Sequence, residues 1–226
     1  MIVGFGRLAQ ALIDVLPSEY SINIFSRTKE RVIEKAADNP RIGWISPEKF
    51  NLEKEVWLLL PAEAIPDFIK TYSDFFNPDT TFFYCATKGM SREIKSLITA
   101  SQKLVPVKFI TEAKQLSRDK RGMAAIPLEF LEYKEQLQYW FKNSMEVVIA
   151  EEEDVLLLNK TTTTIAIELM ESLNEELKES RLSDKLINHA AQQIVPGVIQ
   201  SYIEGRLGGF GEQVLKERNE RRHENR

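Results

Sequence analysis

Ile2-Val3-Gly4-Phe5-Gly6-Arg7-Leu8-Ala9 decides how the rest of the chain is read. A short apolar run meets a G-x-G-x-x-A turn, and Leu8, Leu12, Val15 and Leu16 then recur at helical spacing. Strand, glycine turn and helix in that order form a dinucleotide-binding fingerprint. Gly4 allows the sharp turn, and Gly6, lacking a Cβ, lets the backbone approach a diphosphate. Ala9 keeps helix and strand close, while Phe5, Arg7 and Leu8 complete the cradle. The helix start then offers unpaired N–H groups and a partial positive charge to phosphates.

The pattern continues outward. Apolar runs at 21–25, 41–45, 56–60, 81–85, 107–110, 123–126 and 147–149 alternate with helix-period stretches at 7–16, 29–37, 64–75, 91–101 and 128–141. Repeated strand–helix–strand units predict a doubly wound, mostly parallel Rossmann sheet over residues 1–150. From Glu151 the pattern is helical, over 155–177, 183–207 and 212 to the end, with Gly208, Gly209 and Gly211 dividing the last two. The charged run 216–226 reads as a solvated, fraying helix. Residues 151–226 are thus expected to form an all-helical domain with apolar residues on more than one side. So small a set of helices struggles to bury that surface alone, which points to a homodimer.

Composition narrows the function. The chain has 226 residues, 43% of them hydrophobic, and a net charge of −4. That mild negative balance argues against bulk nucleic-acid binding. No run approaches the length of a membrane span, and the start lacks the basic and apolar regions of a signal peptide. One cysteine, Cys85, and two histidines leave neither a disulfide framework nor a Cys/His zinc site. A cytoplasmic, metal-free protein with a small-molecule substrate is expected.

At the end of the second predicted strand, where an acid would hold an adenosine ribose, the chain carries Ser26-Arg27-Thr28-Lys29. An Arg fork with two hydroxyls suits a 2′-phosphate that a carboxylate would repel, so NADP(H) is expected over NAD(H). Leu60-Pro61-Ala62 and Ala86-Thr87-Lys88-Gly89 follow two further strands and should line the dinucleotide and its nicotinamide. Lys88 is either a holder of a substrate carboxylate or cofactor phosphate, or a plain solvent-facing lysine. Cys85 reads as a small buried hydrophobe. Asn159-Lys160 and Thr161–Thr164 interrupt an apolar helix, as a hydroxyl-rich crevice wall or as a close-packing face.

Taken together these stretches resemble the pyrroline-5-carboxylate reductases, within the wider group of 6-phosphogluconate-dehydrogenase-like proteins. Gly4–Ala9 and Ser26-Arg27-Thr28 are similar to the family's nucleotide turn and its Asn-Arg-Ser/Thr. Gly122-Met123-Ala124-Ala125-Ile126 is similar to its Gly-Met-Thr-Ala-Leu strand, and Ala190–Gly197 to its Ala-Ala-Gln-Thr-Val-Leu-Gly stretch. The resemblance implies a Rossmann domain followed by helices that interlock with a second subunit, and an NADP(H)-dependent reductase acting on C=N or C=O. The family's Met-Pro-Asn-Thr-Pro loop is replaced by Glu112-Ala113-Lys114-Gln115-Leu116, and its Ser-Gly-Ser-Gly-Pro-Ala by 159–164. Its Ser-Pro-Gly-Gly-Thr-Thr imino-acid loop has no counterpart between Gly197 and Gly208. Fold and cofactor carry over; the proline-pathway substrate does not. Lys88, Lys114 and Thr162 are the candidate catalytic side chains. A nucleotide-binding regulator without turnover is the alternative.

Overall fold

The computed structural model describes residues 1–224, and the chain divides into two compact units, Met1–Thr161 and Thr162–Arg226. In the first, six strands form one parallel sheet: β1 (Ile2–Val3), β2 (Ile22–Phe25), β3 (Ile42–Trp44), β4 (Glu55–Leu58), β5 (Thr81–Tyr84) and β6 (Lys103–Pro106). Their spatial order is β3-β2-β1-β4-β5-β6. Ile2 lies beside Ile24 on one side and Trp57 on the other. The strand order reverses between β1 and β4, which opens a crevice beyond their carboxyl ends.

Both faces of this sheet are covered, so its strands are apolar on successive residues rather than alternately. Ile2, Ile24, Trp57 and Phe83 belong to one core. Val3, Phe25, Leu58, Phe82 and Tyr84 belong to the other. Helix α1 (Arg7–Val15) buries Ala9, Ala11, Leu12 and Ile13. That face is wider than the stripe read from sequence, because α1 packs against α4 (Ala113–Asp119) as well as the sheet. Arg41 caps the end of α1, donating to the carbonyls of Ile13, Leu16 (2.9 Å) and Pro17 (2.8 Å). Helices α2 (Lys29–Asp38) and α3 (Ile65–Tyr72) are close to expectation.

Several elements differ from the sequence reading. The last three apolar runs leave the large sheet and form their own: β7 (Lys108–Phe109), β8 (Gly122–Ile126) and β9 (Met145–Ile149), with β7 antiparallel to β8 and β9 parallel to it. β6 still pairs with β5 through the Val107 N–H, which donates to the Tyr84 carbonyl at 2.9 Å, while Pro106 offers no N–H to a further strand on the open side, so β6 is the edge. Residues 91–101, expected as a helix, make only the 3-10 turns Ser91–Glu93 and Lys95–Leu97. In contrast, Glu112 opens α4 by accepting the Gln115 N–H at 2.9 Å, so the residues standing in place of the family's loop form a capped helix. The run 128–141 is a 3-10 stretch followed by α5 (Lys134–Phe141).

Beyond lie α6 (Glu152–Leu177), α7 (Asp184–Ile203) and α8 (Gly209–Glu224). Gly209 and Gly211 fall inside α8 instead of dividing it from α7. Gly208 does lie in the link between the two helices, and Gly205, with a φ of +65°, supplies the left-handed turn after α7. Residues 225 and 226 of the charged tail lie outside the described residues. No described residue after Val155 is buried. Among the described residues no helix is long and apolar enough to cross a membrane.

Candidate functional site

Two cavities flank the switch point of the large sheet, about 440 Å³ and about 490 Å³ in volume. Gly6, Leu59, Leu60 and Pro61 line both, so they adjoin at the end of β4.

Gly4 is required by geometry. Its φ is +100°, and a Cβ there would stand 2.4 Å from the Leu59 carbonyl oxygen. Its N–H donates to the Phe25 carbonyl at 2.8 Å, which ties the turn to the end of β2. Gly6 is different: a Cβ on it would meet nothing within 4 Å. The space in front of Gly6 is free for an incoming group, and α1 starts there with no side-chain cap and no acid in its first turn. Its opening amides therefore face outward as anion donors.

The first cavity collects Gly4, Phe5 and Gly6 from this turn and Ser26, Arg27 and Thr28 from the end of β2, with Arg31 one helical turn further on. The Thr28 N–H donates to Ser26 Oγ (3.3 Å), and Trp44 Nε1 donates to the Ser26 carbonyl (3.4 Å), so the segment is ordered. Lys29 lies instead over the Trp44 ring, 4.4 Å from its centroid. Arg31 was missed in the sequence reading; its place in the first turn of α2, four residues after Arg27, was the available signal. Asp67, near the start of α3, is the acid among the lining residues.

The second cavity holds Arg7, Leu8, Ala62, Thr87 and Lys88, together with Glu63 and Glu112. Its charges balance, two cations against two acids. Lys88 is exposed. Cys85, at its back, is 3% exposed, and burial pushes its thiol well above the ordinary cysteine range. No His, Tyr or Asp lines it. Lys114 is exposed on α4 and lines neither cavity. Thr162 belongs to the second unit, and Thr161, the last residue of the first, and Thr162–Thr164 are all exposed on α6.

The residues present suit a dinucleotide. An open approach at Gly6, uncapped helix amides and two guanidinium groups where a ribose acid would otherwise stand match a chain of anionic groups.

No protein-family model matches this sequence, and no curated protein matches it. Solved structures do. A pyrroline-5-carboxylate reductase from Coxiella burnetii superposes with a TM-score of 0.71 at 13% identity, over 99% of this chain and 91% of that one. A pyrroline carboxylate reductase from Plasmodium falciparum with NADP bound gives 0.65 at 11% identity, over 96% and 82%. An imine reductase from Streptomyces aurantiacus gives 0.61 at 11% identity, over 92% and 79%. The chain has the fold of these reductases, at 11–13% identity.

Proposed function

We propose that this chain is an NADP(H)-dependent oxidoreductase that reduces a C=N or C=O group of a small substrate. The observation that carries the reading is a single cavity in which the Gly4–Gly6 turn meets Arg27 and Arg31 at the point where the strand order reverses. When bound, the nicotinamide supplies the hydride. The amides opening α1 hold the diphosphate. Arg27 and Arg31, with the hydroxyls of Ser26 and Thr28, hold the 2′-phosphate and so favour NADP(H) over NAD(H). Leu60, Pro61, Ala62 and Thr87 shape the route from one cavity to the next, and Lys88 holds a substrate carboxylate at the far end. Lys114 and Thr162 receive no role in this scheme.

Calorimetric titration with the reduced cofactors tests the binding half. NADPH should bind more tightly than NADH; the reverse order, or no heat with either, overturns it. Mixing the NADPH complex with pyrroline-5-carboxylate, then with a panel of imines and ketoacids, tests turnover through the loss of reduced-cofactor absorbance. A second reading, a nucleotide-binding regulator without turnover, is favoured by the second cavity's lack of a histidine, tyrosine or aspartate proton donor. Tight NADPH binding with no oxidation by any panel member would select it.

We further propose that residues 1–150 act as the nucleotide domain and 151–226 as a dimerisation domain, in a cytoplasmic homodimer. The support is apolar exposure in the second unit, where Ile165 is 58%, Ile194 61%, Ile203 73% and Phe210 82% exposed. Such a surface calls for a partner. Sedimentation should report twice the 26.0 kDa chain mass. A monomer at micromolar concentration would overturn this.

A further inference from the structure

A cluster of buried charge stands behind the second cavity and takes no part in the scheme above. Lys108, on β7, is 2% exposed and Glu152, opening α6, is 8% exposed. Their side chains meet at 3.0 Å. The Lys108 ammonium also donates to the carbonyls of Ala86 (2.6 Å) and Gly89 (3.1 Å), and lies 4.1 Å from the centroid of the Tyr84 ring. An ammonium has three N–H bonds, and these three acceptors use all of them. Burial lowers the pKa of Lys108, and Glu152 opposes that shift.

Glu152 grips the other end of the same segment. Its carboxylate accepts the Ser91 N–H at 3.0 and 3.1 Å and the Ser91 hydroxyl at 2.6 Å. Between the two anchors, the Tyr84 hydroxyl donates to the Lys88 carbonyl at 3.3 Å. Carbonyls 86, 88 and 89 are thereby turned toward the buried cluster. A trans peptide points its N–H opposite to its C=O, so the Thr87 amide is turned away from Lys108. Thr87 and Lys88 are left exposed, on the lining of the second cavity. Gly89 fits the arrangement only as glycine, at φ +80° with a Cβ position 2.9 Å from the Tyr84 hydroxyl.

A buried ion pair is a poor source of net stability, since desolvation offsets most of its attraction. Here the pair holds in place one of the loops that border the second cavity. We infer that Lys108 and Glu152 are positioning residues, a clamp that sets the 86–91 loop and with it the seat of the nicotinamide half of the cofactor. Lys108 lines neither cavity and has no spare proton donor, so it acts through the loop. The inference rests on the cofactor reading for its ligand, whereas the clamping itself does not.

The test uses the full chain, with Lys108→Met and Glu152→Gln. The probes are NADPH, which spans both cavities, and adenosine 2′,5′-bisphosphate, which reaches only the first. Lys108→Met should weaken NADPH by about tenfold or more while leaving the bisphosphate within about twofold. Independently of any ligand, the tryptic cut after Lys88, followed by mass spectrometry, should become about tenfold faster in Lys108→Met, with a smaller gain in Glu152→Gln. Equal loss of both ligands, or unchanged NADPH affinity and unchanged cleavage, overturns the clamp. Should neither variant fold, the wild-type chain decides: the Ser91 amide should exchange with deuterium as slowly as core amides, and rapid exchange overturns the proposal. Wild-type protein that binds neither probe defeats the cofactor reading, and cleavage and exchange still judge the clamp.

Discussion

The two cavities at the switch point are built on different principles. The first sets its anion-facing groups on short local segments, a turn at 4–6, a strand end at 26–28 and the helix that follows it, and closes them with a wall drawn from 59–72. What it presents is backbone geometry plus guanidinium charge, both carried by short segments. The second has balanced charge and draws its wall from three separate loops. The 86–91 loop of that wall is held from behind by Lys108 and Glu152. A phosphate grip needs only amides and cations aimed at one spot. On the proposed function the second cavity is where hydride is transferred, which calls for a tightly placed wall, and distant anchors would supply that.

The largest effect expected on this contrast comes from the glycine pair. Gly4→Ala places a Cβ 2.4 Å from the Leu59 carbonyl at positive φ, and should cost about 3 kcal/mol of stability or more, read as a fall in Tm. Gly6→Ala points its methyl into open space, so Tm should hold while NADPH affinity drops by about tenfold. Equal loss of Tm in both variants would break the distinction between a fold-making and a ligand-making glycine.

Next come the guanidinium groups. Arg27→Ala and Arg31→Ala should each weaken NADPH by about 2 kcal/mol, as expected for a charge-assisted hydrogen bond, with NADH nearly unchanged. Parallel losses for both cofactors would remove the 2′-phosphate from the first cavity. Lys88→Ala sharpens the other side. Its effect should fall on substrate, with KM raised about fivefold for an exposed charge pair of about 1 kcal/mol, and on NADPH hardly at all. Steady-state kinetics with any substrate the panel yields separates the two.

The smallest effect is a titration. Burial, then the nearby Glu152 carboxylate, raises the Tyr84 phenol from 10.0 to about 12. The folded chain therefore keeps that proton after the unfolded chain has lost it. Its contribution to stability is complete below pH 10 and is lost as pH climbs through about 12. Ultraviolet titration should show one tyrosine ionising late. In Tyr84→Phe the late step should vanish, and its persistence would mean that another phenol carries it.

Legibility followed sequence distance. The β1 turn and the Ser26–Thr28 segment could be read directly because turn, charge and helix start lie within a few residues of one another. Arg31 could have been read in the same way, one helical turn after Arg27. Residues 91–101 look helical by periodicity, yet Glu152 draws Ser91 into a short turn, and nothing near Ser91 in the chain announces that. Likewise the last three apolar runs carry ordinary strand signals. What sends them to a separate sheet is the edge at Pro106 and the antiparallel return of β8 onto β7.

The sequence by itself determined the Rossmann class, the glycine turn, the missing ribose acid and the helical character of the second unit. Each of these is a local matter of backbone freedom, charge or periodicity. Only the tertiary structure decided which carbonyls a buried lysine holds, how the strands divide between two sheets and which side chains share a cavity. Those outcomes depend on packing and desolvation between residues far apart in the chain, for which linear order carries no signal.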